Sequence, residues 1–190
     1  MTSDQYAVLV DTGVGPAGGE AAEWLGTAGR LPRLLEAAGV RADEIDTVIL
    51  THVHLDHAGW NVEGDRPRFG NAEYVVQQAE LDHARGSTTY RKLIAPLGSQ
   101  LRAVDGRASV AGLTLLPTPG HTPGHQSVLT DQALIAGDVL VHPAQARWPE
   151  LVYVYEQEPA VATTSRREVL RLAAELGVPI AAAHVSCDQR

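Results

Sequence analysis

With 190 residues, the chain suits a single domain, 1–190, able to bury most of its apolar surface without staples. Its 44% hydrophobic and 20% charged content excludes an intrinsically disordered chain. The formal charge of −8 argues against nucleic acid as a partner, because phosphate binding wants clustered cations; a small substrate is the expected one.

The start, "MTSDQYAVLVDTG", has no basic leader region, and no segment approaches the roughly 20 apolar residues of a membrane span. A cytoplasmic location without membrane contact is therefore expected. "YAVLVDTG" reads as a buried strand stopped by a turn, and the Gly/Ala-rich "GVGPAGGEAAEWLGTAG" as a loop. "RLPRLLEAAGV" has helical spacing at Leu31, Leu34, Leu35 and Ala38, with Gly39 placed to end it. "IDTVILTH" is a second buried strand and "AEYVVQ" a third, followed by helical material around "QAELDHA" and "TTYRKLIAPLG". Short strands come next: "LRAVDG", "ASVAG", "LTLLPTPG", "QSVLTD" and "ALIAGDVL", spaced as a β meander. "PAVATTSRREVLRLAAELG" is the best helix, ended by Gly177, and "VPIAAAHVS" the last strand. Strands alternating with helices, then a meander, then helix and strand, favour a layered α/β sandwich over a purely parallel fold.

The chemistry concentrates at strand ends. "THVHLDHAGW" places three of the eight histidines within six positions. His52 and His54 alternate by two, so on an extended segment both rings face one side; Asp56 and His57 follow as the chain turns. His121 follows "LTLLPTPG", Asp138 ends "ALIAGD", and His184 ends "VPIAAAH". Strand ends tipped with imidazoles and carboxylates can converge on one sheet edge, and that donor set binds zinc or a similar metal. A lone histidine after a strand is usually structural; two one apart, followed directly by Asp-His, are not explained by packing. The single cysteine, Cys187, allows neither an intrachain disulfide nor a thiolate zinc cluster and reads as a spectator.

"HVHLDH" resembles the His-x-His-x-Asp-His signature of the metallo-β-lactamase superfamily, and "LVDTG", "TPGHTPGH", "AGD" and "AAH" continue the resemblance in the superfamily's order from Val8 to His184. "DHAGWN" and "GDVLVHPAQ" are most similar to its small-molecule hydrolase branch, which includes lactonases and organophosphate hydrolases. The resemblance implies a four-layer αβ/βα sandwich; since the chain starts almost at the "VDTG" strand, either the first sheet is shortened or the true start lies upstream. It also implies two divalent ions, zinc first and iron or manganese as alternatives. His52, His54 and His121 would hold one and Asp56, His57 and His184 the other, with Asp138 bridging. A metal-bound hydroxide would then cleave a small ester, lactone or similar electrophile, with Asp56 as the catalytic proton shuttle. A glyoxalase II-type thioester hydrolase, a β-lactam hydrolase and an iron-binding redox member stand as alternatives. The first would carry a C-terminal helical region, whereas this chain ends six residues after His184.

Around that core the readings divide. Asp11 either orients the histidine cluster or shapes its turn. Thr51 and Gly59 read as turn residues, His125 as a structural or supporting residue rather than a ligand, and His83 as solvated. Trp60, His142 and Trp148 are the candidate pocket residues; Trp24, Tyr153 and Tyr155 also lie in or beside loops where they would wall a pocket or simply pack. Several lactonases carry a tyrosine three residues after the bridging aspartate; here that position is Val141. An uncovered edge of the short first sheet leans toward a homodimer.

Overall fold

The computed structural model describes residues 6–185; Cys187 lies outside the described residues. These residues form two compact units, one running to Val76 and including Ala84–Val104, the other made of Gln77–His83 and the chain from Asp105 on.

The first unit is built on a four-stranded sheet in the order β1-β2-β5-β6, with β1 Val8–Val10, β2 Thr47–Ile49, β5 Glu73–Gln77 and β6 Leu101–Val104. β2 pairs in parallel with β1 on one side and β5 on the other. Its three residues are all buried, as a strand covered on both faces must be, and its β-branched side chains suit that setting. Because β1 and β2 run the same way, Asp11 and Thr51 emerge from the same carboxyl edge. In open parallel sheets, that edge is where ligands bind. β1 occupies an edge of the sheet.

Two elements here depart from the sequence reading. The Gly/Ala-rich stretch is not all loop: it holds helix α1, Glu20–Leu25, with Ala21 and Ala22 buried and Gly26 ending it in the left-handed conformation (φ 65°). Its glycines masked a short helix whose buried face needs only alanine. β6 joins this first sheet instead of opening the meander, since strand spacing in sequence says nothing about which sheet a strand enters. Helix α2 spans Leu31–Ala37, α3 Leu55–Ala58, and a small hairpin joins β3 Val62–Glu63 to β4 Arg66–Pro67. The "YRKLI" segment winds as a wide π-type turn, Tyr90–Ile94, and continues as tight turns to Gln100.

Under that hairpin, Tyr74 is fully buried; its hydroxyl donates to the Asn61 carbonyl (3.2 Å) and accepts from the Phe69 N–H (3.1 Å). Burial pushes its pKa up to about 12. A raised folded pKa means the neutral form is favoured in the fold, so this contribution is complete below the unfolded pKa of about 10 and is lost as pH rises toward the folded one. Urea denaturation at about pH 8 and about pH 11 should therefore show a larger alkaline loss for the parent than for Tyr74→Phe. Equal losses would show that Tyr74 does not carry the alkaline sensitivity.

The second unit carries helix α4, Gln78–Ala84, and a five-stranded sheet in the order β11-β10-β9-β8-β7: β7 Ala108–Val110, β8 Leu113–Pro117, β9 Gln126–Leu129, β10 Leu134–Gly137 and β11 Ile180–Ala182. β9 is antiparallel to both β8 and β10, and β11 is parallel to β10. Hence β8, β10 and β11 all point the same way, and the residues that follow them, His121, Asp138 and His184, leave one edge. Helix α5 spans Ala144–Arg147 and α6 Pro159–Leu176. α6 opens with Pro159 in its first turn and closes on Gly177, left-handed at φ 66°, whose N–H reaches the Ala173 and Ala174 carbonyls. Val169 and Ala173 on its buried face pack with Leu116, Leu134, Ala136, Val139 and Leu140.

Candidate metal centre

In the first unit, the sequence cluster becomes a spatial one. His52 is wholly buried and His57 nearly so, while His54 and Asp56 are partly exposed. The rings of His52 and His54 meet edge to face at 4.5 Å, and His57 lies 4.1 Å from His52. His52 Nε2 and His54 Nδ1 stand 2.9 Å apart. His54 is extended (φ −101°, ψ 160°) and its carbonyl starts helix α3, whose first turn carries Asp56 and whose last carries His57. The Asp56 carboxylate reaches within 3.8 Å of His57 Nε2.

Asp11 organises this group. Its carboxylate accepts from the Thr51 N–H (2.7 Å), the Thr51 hydroxyl (2.8 Å) and His57 Nδ1 (2.8 Å). Since the Thr51 hydroxyl donates to Asp11, it accepts from His52 Nδ1 at 3.0 Å. Both rings are thereby held with the proton on Nδ1 and the lone pair on Nε2, the form a metal ligand needs. Asp11 does this from a left-handed backbone (φ 57°), a conformation costly for a non-glycine residue and retained where the surroundings fix it. The two readings of Asp11 thus merge, for the turn is what aims the carboxylate. The next residues fasten the cluster loop: Thr12 N–H donates to the His57 carbonyl (2.6 Å), and Gly59 N–H to that of Gly13 (2.8 Å). A Cβ on Gly59 would fall 2.3 Å from the Val14 carbonyl carbon, so only glycine allows the two backbones to approach this closely.

In the second unit, His121 and Asp138 are buried and His184 is exposed. The Asp138 carboxylate lies between two rings, 3.3 Å from His121 Nε2 and 3.3 Å from His184 Nε2. His125 belongs to the scaffold, as its sequence context suggested. Asp138 N–H donates to its Nε2 (3.0 Å), which leaves the proton on Nδ1, facing the Thr118 hydroxyl at 2.9 Å. Thr118 in turn meets Ser127 (3.0 Å), and Ser127 donates to the Ala136 carbonyl (3.2 Å). This buried chain ties β8, β9 and β10 together beneath Asp138.

Sequence reasoning missed the second anchor, Arg166. It is fully buried on α6 and donates through Nε to the carbonyl of Val139, next to Asp138, at 2.8 Å. Its Nη1 reaches the Pro149 (2.6 Å) and Leu151 (3.2 Å) carbonyls, and its Nη2 pairs with the buried Glu156. One residue earlier, the Ser165 hydroxyl donates to the Pro119 carbonyl (2.6 Å), and a Cβ on Gly120 would strike Ala162 N at 2.1 Å. Helix α6 therefore holds both the His121 loop and the Asp138 strand end. The signal was present: Ala162, Arg166, Val169 and Ala173 fall on one helical face, so an arginine stands among the core positions.

Trp60 is buried, with Arg68 stacked over its ring at 4.7 Å. Trp148 is half exposed and carries Arg147 on its face at 4.9 Å. His142 is exposed, and its Nδ1 accepts the Ala144 N–H (3.1 Å) at the start of α5. The first unit contains a cavity of about 480 Å³, lined by Val14, Leu55, Val62, Leu93, Arg91 and Lys92 among others.

The profile of the metallo-β-lactamase superfamily matches residues 1–184. The chain belongs to that superfamily. Solved structures agree on this fold: a hydrolase of the beta lactamase superfamily, AbOPH, superposes with a TM-score of 0.81 at 25% identity, covering 95% of this chain and 68% of that one. An N-acyl homoserine lactone hydrolase, solved with N-hexanoyl-L-homoserine at its catalytic metal centre, gives a TM-score of 0.75 at 25% identity over 94% and 76% of the two chains. Among curated proteins, an N-acyl homoserine lactonase from a Bacillus species is 36% identical over 103 residues, or 54% of this chain. That match spans 39% of the lactonase's own length. A probable metallo-hydrolase of Methanocaldococcus jannaschii is 28% identical over 133 residues, 65% of this chain and 62% of the relative. Imidazole and carboxylate donors in the superfamily's motif positions fit its divalent metals. No helix among the described residues is long and apolar enough to cross a membrane.

Proposed function

We propose that this metallo-β-lactamase superfamily member is a hydrolase of small esters or lactones that works with two divalent ions, zinc foremost. His52, His54 and His121 would hold one ion and Asp56, His57 and His184 the other, with Asp138 between them. The observation that carries the reading is the Asp11 carboxylate, which commits Nδ1 of both His52 and His57 and leaves their Nε2 lone pairs for a cation. His52 Nε2 and His54 Nδ1 lie 2.9 Å apart, close enough for one small ion to reach both at about 2.0–2.1 Å after a small adjustment. When bound, divalent ions supply Lewis acidity and make water a nucleophile at neutral pH. Asp56 stands at the cluster with its carboxylate partly open and takes the role of proton carrier. The cavity beside α3 is of a size that holds a small substrate, and Leu55 on its wall is flanked by His54 and Asp56. The lactonase and hydrolase relatives support an ester or lactone over a thioester or β-lactam.

The test is a panel of lactones, aryl esters, thioesters, phosphotriesters and β-lactams on protein loaded with zinc, with iron or with manganese. Lactone or ester turnover that vanishes on chelation and returns with metal is expected. Turnover confined to thioesters or β-lactams, or persisting after complete chelation, would overturn the proposal, as would iron-dependent redox turnover without hydrolysis.

A further inference from the structure

The segment Leu151–Tyr155, "LVYVY", is five apolar or aromatic residues in a row, and it is not packed away: Val152 is 61% exposed, Val154 81% and Tyr155 53%. Exposed loops are normally mobile and polar, yet this one is apolar and fastened at both ends. At its start, the Leu151 carbonyl accepts from Arg166 Nη1 (3.2 Å) and from Gln145 Nε2 (2.9 Å). At its end, Glu156 pairs with Arg166, Gln157 N–H donates to the His121 carbonyl (3.3 Å), and Glu158 N–H to that of Gly120 (2.9 Å). A buried arginine, a buried glutamate and a buried glutamine thus hold Val152 and Val154 largely in water, where their apolar side chains gain little from packing. A preorganised platform for a ligand explains that arrangement; core stability does not.

What the platform presents to the candidate centre is Tyr153. Its ring lies nearly parallel to the His121 imidazole (13°, centroids 6.2 Å apart) and is braced edge-on by Tyr155 (73°, 5.3 Å). At that spacing the tyrosine ring lies alongside the imidazole and offers an apolar face next to a candidate ligand. We infer that Tyr153 is a specificity-determining residue, against which the apolar arm of the substrate lies while its ester or lactone group is at the metal-ligand cluster. The inference rests on the hydrolase reading above and adds the substrate class: neutral esters or lactones bearing an alkyl or aryl arm next to the reacting group.

Two lactones separate the inference from its foundation. γ-Butyrolactone has no arm, and γ-nonanoic lactone is the same ring with a pentyl arm. In zinc-loaded enzyme, Tyr153→Ala should lower kcat/KM for the pentyl lactone roughly tenfold, through KM, and change butyrolactone by less than about twofold. Tyr153→Phe should match the parent on both. The corresponding lactams, which resist hydrolysis, provide a readout independent of turnover: calorimetric titration should show the pentyl lactam losing roughly tenfold in affinity on Tyr153→Ala. A parent that hydrolyses neither lactone nor any ester overturns the hydrolase reading, and the lactam titration then still decides the Tyr153 contact. Equal losses on both lactones, or no loss on the pentyl compounds, overturn the inference itself.

Discussion

Replacing Asp138 by alanine is expected to abolish measurable turnover, by about a thousandfold or more, while leaving a folded protein. The carboxylate stands 3.3 Å from both His121 and His184, and in the two-ion site proposed above it would be the one acid shared by both ions. If Asp138 serves both ions as proposed, its loss should remove several kcal/mol of transition-state stabilisation, and about 4 kcal/mol corresponds to roughly a thousandfold. The fold should persist because its hold on this position is through the backbone: Asp138 N–H donates to His125 Nε2, a bond that alanine retains. His54→Ala should behave in the same way, since the His54 carbonyl, not its side chain, starts helix α3. The measurements are hydrolysis rate, metal content by elemental analysis and circular dichroism. Unchanged turnover in both variants would defeat the ligand assignment.

The parts of this centre that were legible in the sequence are those written in local spacing. His52, His54, Asp56 and His57 are neighbours in the chain, so their convergence needed only a strand end and one helical turn. The gathering of His121, Asp138 and His184 within the second unit required knowing that β8, β10 and β11 share a direction, which their short apolar runs do not state; the order of motifs stood in for it. Asp11 was half legible. "VDTG" placed it near a turn, but its three accepted hydrogen bonds follow from the parallel pairing of β1 with β2. Helix α1 escaped because glycine frequency outweighed two buried alanines, and β6 because the sequence does not say which of two sheets a strand will join. Arg166 escaped for a different reason. A charged residue in a helix is assigned to solvent by default, and only its register with Ala162, Val169 and Ala173 argues otherwise.

That arginine carries the largest expected effect on stability. Arg166→Met should cost about 3–5 kcal/mol, because it leaves the buried Glu156 carboxylate without its cation. The Val139, Pro149 and Leu151 carbonyls lose their donor at the same time. For a chain of this size the loss corresponds to a fall in Tm of roughly 6–20 °C in thermal unfolding. Arg166→Lys keeps the charge beside Glu156 but replaces a planar fork with a single ammonium that cannot reach all four acceptors, so an intermediate loss is expected. Pairing Arg166→Met with Glu156→Gln removes the orphaned charge and should recover a substantial part of the deficit. The same three variants separate two roles of the latch. If it served packing alone, recovery of Tm in the double variant would bring back full activity. If it also fixes the Leu151–Tyr155 platform and the Asp138 strand end, Tm should recover further than kcat/KM, because glutamine and methionine fill the space without re-forming the bonds to Val139 and Leu151 that fix where those segments stand.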